Sequence, residues 1–152
     1  DLYIEEMTSQ GWAIEKANNI EEIASTCDLI ITTTPSKEPL LTNKFLKKGT
    51  HINAIGSDSP GKNELKSDVL KSADLIVADS ISQCLERGEI SHAIRNKDID
   101  AHDVQELGNL IQDNRTYNCK DSQLSVADLT GVAVQDIQIA KAVFKECEKL
   151  KT

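Results

Sequence analysis

Short, unbroken aliphatic runs are the feature that most restricts the fold. Leu29-Ile30-Ile31 and Leu75-Ile76-Val77-Ala78 lack the apolar–polar alternation of a strand with one wet face, and both are too short to be helices. Runs of this kind belong to strands covered on both faces, as in parallel sheets. Between them lie segments with helical spacing and helical punctuation. Leu2–Gln10 reads as a helix stopped by Gly11, and Asn19 caps a helix carrying Ile20, Ile23 and Ala24. Trp12–Ala17 reads as a short strand. A helical turn over Asn43–Lys47 leads through Gly49 to a strand at Ile52–Ile55. A helix over Glu64–Ala73 places Leu65, Val69 and Leu70 on one face, and Asp79-Ser80 caps a helix that ends at Gly88. Helical turns follow at Ile90–Ile94 and Asp103–Ile111, then a polar loop from Gln112 to Ser122, a last strand at Leu124–Ala127, and a long helix over Val132–Leu150. Strands alternating with helices imply an α/β fold with a mainly parallel sheet and right-handed crossovers.

The 152 residues suffice for one domain with its own core. A net charge of −8, spread along the chain, argues against nucleic acid or an anionic membrane as partner. Cys27, Cys84, Cys119 and Cys147 form no CxxC pair, and His51, His92 and His102 lack metal-ligand spacing. No metal site or disulfide framework is expected, and reduced thiols fit a cytoplasmic setting. No apolar run is long enough to span a membrane. The chain opens at Asp1, without a methionine and inside a helical pattern, so it is expected to be a piece of a longer protein.

In a parallel sheet the carboxyl ends of the strands share one edge, where such sheets bind ligands. Thr32–Ser36, Gly56–Lys62, Asp79-Ser80 and Asp128–Gly131 would converge there. Hydroxyls, glycines and acids suit a polar ligand such as a nucleotide. Each also has a plainer reading: Asp79-Ser80 as a helix cap, Asp58 as an Asx-turn residue, Lys62 as a solvated surface lysine. Asp58 stands out because Gly56 and Gly61 bracket its turn and Pro60 stiffens it.

Several of these segments, in order, resemble the ornithine cyclodeaminase/mu-crystallin family. They are Thr32-Thr-Thr-Pro-Ser-Lys-Glu-Pro39, Lys48-Gly-Thr-His-Ile-Asn-Ala-Ile-Gly-Ser-Asp-Ser-Pro-Gly-Lys-Asn-Glu-Leu65, Asp79-Ser80, Glu106-Leu-Gly108 and Thr130-Gly-Val-Ala-Val-Gln-Asp136. The resemblance implies a Rossmann-type nucleotide domain within a two-domain, NAD-dependent enzyme, with NADP left open. It places the catalytic acid at Asp58, which would pass protons to and from the substrate amine. Cofactor contacts fall on Thr32, Thr34, the strand end Ile52, Asn53, Ala54 and Ile55, and on Gly56, Lys62, Thr130 and Gly131. The first activity implied is conversion of ornithine to proline and ammonia by transient hydride transfer. The alternatives are an alanine dehydrogenase, a cyclic imine reductase, or a crystallin-like protein that binds dinucleotide without turnover.

Departures from the family pattern weigh among these. The ornithine branch resembles Gly-Gly-Asp-Cys-Pro-Gly-Lys at the turn, where Ser57 and Ser59 stand here, as in the alanine dehydrogenases and imine reductases. Keeping Asp58 separates the chain from mu-crystallin itself, and Leu129 replaces a serine of many members. The glycine-rich phosphate loop and the residues that grip the amino acid would lie upstream of Asp1. Residues 1–131 are thus expected to be a partial NAD(P)-binding domain whose sheet has a gap or exposed edges. Residues 132–152 are expected to return toward a missing substrate and dimerisation domain. The full-length protein would be a homodimer acting on a small amino acid. The piece alone would be inactive, bind NAD weakly and self-associate.

Overall fold

The computed structural model describes residues 2–113 and 122–149. Five parallel strands form one sheet: β1 (Leu29–Thr32), β2 (His51–Ala54), β3 (Leu75–Ala78), β4 (Val104–Glu106) and β5 (Ser125–Asp128), in the order β1-β2-β5-β3-β4. Its register is uniform across the three central pairings. Ile30 pairs with Ile52, Ile52 with Val126, and Val126 with Ile76; two residues on, Thr32, Ala54, Asp128 and Ala78 form the last rung. All strands therefore stop at one level, and the loops that follow them share one edge.

Helices α2 (Ile20–Thr26), α3 (Ser67–Lys71), α4 (Ile81–Cys84) and α5 (Glu89–Arg95) supply Ala24, Val69, Leu70, Cys84, Ile90 and Ala93 to the core. These pack with Ile30, Ile52, Ile76 and Val126 of the sheet. Asn19 caps α2 by accepting the Glu22 N–H at 2.9 Å. Helix α1 (Leu2–Ser9) ends before Gly11, whose φ of +90° suits a residue without Cβ. The remaining helices are α6 (Leu107–Gln112) and α7 (Ala133–Lys149); α7 buries no residue. No helix among the described residues is long and apolar enough to cross a membrane.

Several expectations change. Trp12–Ala17 lies outside the sheet, and Trp12 is exposed, because a strand requires a ladder neighbour and this segment has none among the described residues. The run Leu29–Ile31 is a strand but is not buried on both faces. Leu29 and Ile31 are 52% and 53% exposed, whereas Ile30 is buried. The α2–α5 layer packs on the Ile30 side, so β1 keeps one bare face as well as a free edge. Of the gap or exposed edges expected, the five strands show the edge, at β1, and no gap. The Glu64–Ala73 helix shrinks to Ser67–Lys71, since Leu65 forms a bridge with Leu41 and Glu64 is held by backbone bonds. The Asp103–Ile111 segment divides into β4 and α6, because β3 offers Val104–Glu106 a ladder. Cys119 and most of the polar loop lie outside the described residues.

One-sided burial of β1 has a measurable consequence. Ile30→Ala is expected to cost about 2–4 kcal/mol in urea unfolding, and the neighbouring Ile31→Ala less than about 1 kcal/mol. Similar losses at both positions would show that the outer face is covered.

Candidate functional site

Beyond the last rung, the loops after β1 and β2 form the walls of a cleft of ≈ 270 Å³. Thr33, Thr34 and Pro35 line one wall, and Ile55, Gly56, Asp58 and Lys62 the other. The β1 loop is tied down by its neighbour: the Thr32 carbonyl accepts N–H bonds from Ile55 at 2.9 Å and Gly56 at 3.1 Å. Asp58 stands at the mouth, its side chain 55% exposed, and accepts a 2.6 Å bond from Lys62 Nζ. That bond, one turn along the chain, holds the Asp58 carboxyl below its ordinary pKa. Asp58 is therefore a carboxylate at neutral pH and reachable from solvent.

The turn carrying Asp58 is closed from within. Buried Ser57 donates its hydroxyl to the Lys62 carbonyl at 2.6 Å, and His92 Nε2 of α5 bonds the same oxygen at 2.9 Å. Beneath the turn, Glu64 is fully buried. Its Oε1 accepts the Thr34 N–H at 2.6 Å and its Oε2 the Gly56 N–H at 2.9 Å. Glu89 at the start of α5 accepts the backbone N–H groups of Glu64 and Leu65 at 2.7 and 2.9 Å, and Asn63 Nδ2 at 2.6 Å. Burial pushes its carboxyl up in pKa against these bonds. Asp128, the last residue of β5, accepts the Ile90 N–H at 2.9 Å. Burial, with the charges of Glu89 and Asp79 nearby, raises the Asp128 carboxyl to about 8, while the Ile90 bond lowers it.

Asp79 directly follows β3 and anchors the β5 loop. Its Oδ2 accepts the Gly131 N–H at 2.7 Å, and its Oδ1 accepts Thr130 Oγ1 at 3.2 Å and the Ser80 N–H at 2.8 Å. The thiol of Cys84 lies 3.5 Å from Asp79 Oδ1; burial, Asp128 and Asp79 push it up to about 12, so it is inert.

This set of strand-end loops matches a known arrangement along nearly the whole chain. Residues 2–151 fit the model of the ornithine cyclodeaminase/mu-crystallin family. The chain belongs to that family. It is 40% identical over 125 residues to the alanine dehydrogenase of Archaeoglobus fulgidus, covering 82% of this chain and 38% of that protein. It is 35% identical over 130 residues to a Δ1-pyrroline-2-carboxylate reductase of Bacillus cereus, covering 84% and 40%. The solved iminosuccinate reductase of Paracoccus denitrificans, in complex with NAD+, superimposes with a TM-score of 0.88 at 30% identity, over 98% of this chain and 45% of that one. The chain thus spans about two-fifths of the length of these curated relatives.

The structure brings Thr34, Ile55, Gly56, Asp58 and Lys62 together around this family member's cleft. It keeps others away. Ile52 and Ala54 are buried in the core, Thr32 is buried on the same side of the sheet, and Asn53 sits on the opposite side with its Oδ1 3.1 Å from His51 Nε2. Thr130 is buried against Asp79, and only Gly131 of that pair is exposed. Sequence reasoning missed Glu64 and Glu89; the one signal was that each directly precedes a core residue, Leu65 and Ile90, close behind a glycine. His102, Asp100 and Asp103 are exposed and close enough to surround an ion, but Asp100 and Asp103 already form the capping box of a 3-10 turn.

The raised pKa of Asp128 sets a pH dependence. Its ordinary value is 3.8, so between there and about 8 the folded chain holds a proton that the unfolded chain has released. The stabilisation is complete below that window and lost as pH rises through it. Thermal midpoints are expected to fall from about pH 5 to about pH 8, with a shallower fall in Asp128→Asn. An unchanged slope in the variant would remove Asp128 as the cause.

Proposed function

We propose that this chain forms the nucleotide-side wall of the active site in an NAD-dependent enzyme that interconverts a small α-amino acid and its imine. The observation that carries the reading is the Asp58–Lys62 pair at the mouth of the cleft between the β1 and β2 loops. The family relatives support the substrate class. Alanine, pyrroline-2-carboxylate and iminosuccinate each have a nitrogen on the carbon next to a carboxylate, and their enzymes are named for dehydrogenation or reduction.

The cleft fits the flat, polar end of a dinucleotide. Its walls combine the apolar Pro35 and Ile55 with the hydroxyls of Thr33 and Thr34, and Gly56 lets them approach: a Cβ there would fall 2.3 Å from the Thr34 carbonyl oxygen. No GxGxxG segment occurs in the sequence, so the phosphates would be held by the further length that the relatives have. Bound in the cleft, the nicotinamide supplies a hydride acceptor or donor. The chain's own residues manage protons and position. Asp58, kept ionised by Lys62, takes a proton from the substrate nitrogen as the amine is oxidised and returns it in the reverse direction. The Thr33–Pro35 and Ile55-Gly56 walls orient the ring. Thr34 and Gly56 act here through their backbones.

The dehydrogenase or reductase form is preferred to the cyclodeaminase. Ser57 stands at the turn position where the ornithine branch resembles glycine, and its hydroxyl closes the turn on Lys62. Helix α7, with Val134, Ile137, Val143 and Phe144 exposed, is assigned to packing against the substrate and dimerisation part of the full-length protein. Unpaired Cys27, Cys84 and Cys147 support a cytoplasmic setting.

In the full-length protein, Asp58→Asn is expected to lower turnover about 10²–10⁴-fold while NAD still binds. Wild-type turnover in this variant would exclude Asp58. Assayed with alanine, cyclic imines and ornithine, the wild type is expected to exchange hydride with NAD(H) on an amino or imino acid. Proline and ammonia from ornithine, without net NADH, would reassign it to the cyclodeaminases. Binding of NAD without turnover of any of these would favour the crystallin-like alternative.

A further inference from the structure

We propose that Glu64 is a positioning residue for the chemistry at Asp58: a buried clasp that fixes the separation of the two cleft walls. The proposal rests on the reading of Asp58 given above. Thr34 lies two residues beyond β1 and Gly56 two residues beyond β2, on opposite walls. One carboxylate spans both, with Oε1 on the Thr34 N–H and Oε2 on the Gly56 N–H. Bonds from N–H to a carboxylate are shorter and stronger than neutral ones, and a two-oxygen grip also restricts rotation. Beyond the Thr32 carbonyl, which ties the walls at their base, the width of one carboxyl group sets their separation at Thr34 and Gly56.

Gly56 fits this role. A Cβ at that position would lie 2.5 Å from Glu64 Oε2 as well as colliding with the Thr34 carbonyl. The glycine permits the clasp, and Glu64, eight residues later, fills the space beside it. The clasp is itself anchored. The Glu64 carbonyl accepts the N–H groups of Leu40 and Leu41 at 2.7 and 3.0 Å, and its N–H is held by Glu89. Glu89 opens α5, whose Ile90 N–H is fixed by Asp128 at the end of β5. The cleft walls are thus referred back to the centre of the sheet through backbone and carboxylate contacts. Glu64 is also only two residues from Lys62, so its placement sets where the Lys62 end of the Asp58 turn begins.

A buried acid that satisfies two backbone amides can act on stability alone. A positioning role predicts something further: a displacement on the order of 1 Å between wall and acid can lower the rate about 100-fold without weakening binding. The test is Glu64→Gln in the full-length protein, made alongside Asp58→Asn. The amide of Gln has one acceptor oxygen, so one of the two clasp bonds is lost. The expected result is a folded protein that binds NADH within about threefold of wild type, with kcat lowered about 10–100-fold and a larger primary isotope effect from deuterated NADH. Wild-type kcat and isotope effect in Glu64→Gln, with Asp58→Asn inactive, would overturn the clasp alone. Full turnover by Asp58→Asn would overturn the functional reading and the clasp with it. Should Glu64→Gln not fold, amide exchange in the wild type decides: slow exchange at Thr34, beyond the end of the β1 ladder, is expected, and solvent-like exchange would overturn the proposal.

Discussion

Where a parallel sheet stops, its ladder stops too, and the backbone amides of the loops beyond it need acceptors. In this chain buried and half-buried carboxylates provide them. Glu64 takes Thr34 and Gly56, Glu89 takes Glu64 and Leu65, Asp128 takes Ile90, and Asp79 takes Ser80 and Gly131. Ionised carboxylates suit the task because each offers two acceptor oxygens and no donor, and Asp128, protonated up to about pH 8, still presents one acceptor oxygen to Ile90. Burying them has a cost, visible in the raised pKa values of Glu89 and Asp128, to which the neighbouring acids add. Asp58 differs from them all. It is exposed, it is paired with a lysine, and its pKa moves down where those of Glu89 and Asp128 move up. A site built this way separates the acids that hold the loops from the acid free to meet a ligand.

The second constraint is a sheet covered mainly on one side. The α2–α5 layer buries Ile30, Ile52, Ile76 and Val126, while Leu29 and Ile31 remain exposed and β1 has a free edge. Helix α7 adds an apolar stripe that is left exposed among the described residues. Members of the family that the chain matches are more than twice as long. The bare face of β1, the unpaired segment at Trp12–Ala17 and α7 are the places where additional sequence of the relatives' kind would pack. Under that reading both cleft walls belong to this chain, and the substrate part would face the cleft's mouth at Asp58.

Much of the fold was legible because aliphatic runs bounded by turn residues mark strands whatever their surroundings. Leu75–Ala78 appears as read, and the Ile52 strand is displaced by one residue. The errors have physical reasons. Burial on both faces was inferred for Leu29–Ile31 from its own composition, but burial depends on which layers are present. Trp12–Ala17 has strand composition, but a strand is defined by a neighbour. Within the site, Asp58, Gly56 and Lys62 were visible because glycine, proline and charge cluster there. Glu64 and Glu89 were not, since a glutamate in sequence looks solvated until the fold aims backbone N–H groups at it. Ile52 and Ala54 were assigned to the cofactor through their position in a motif, and the register shows that such a motif also records core packing.

The most direct test of the account is a crystal structure of the full-length protein with NADH and a non-reacting amino-acid analogue. The account predicts the nicotinamide between the Thr33–Pro35 wall and the Ile55-Gly56 wall, with the Asp58 carboxylate within hydrogen-bonding distance of the analogue's nitrogen. A nicotinamide bound away from this cleft, or an Asp58 side chain turned to solvent with another group on that nitrogen, would contradict it.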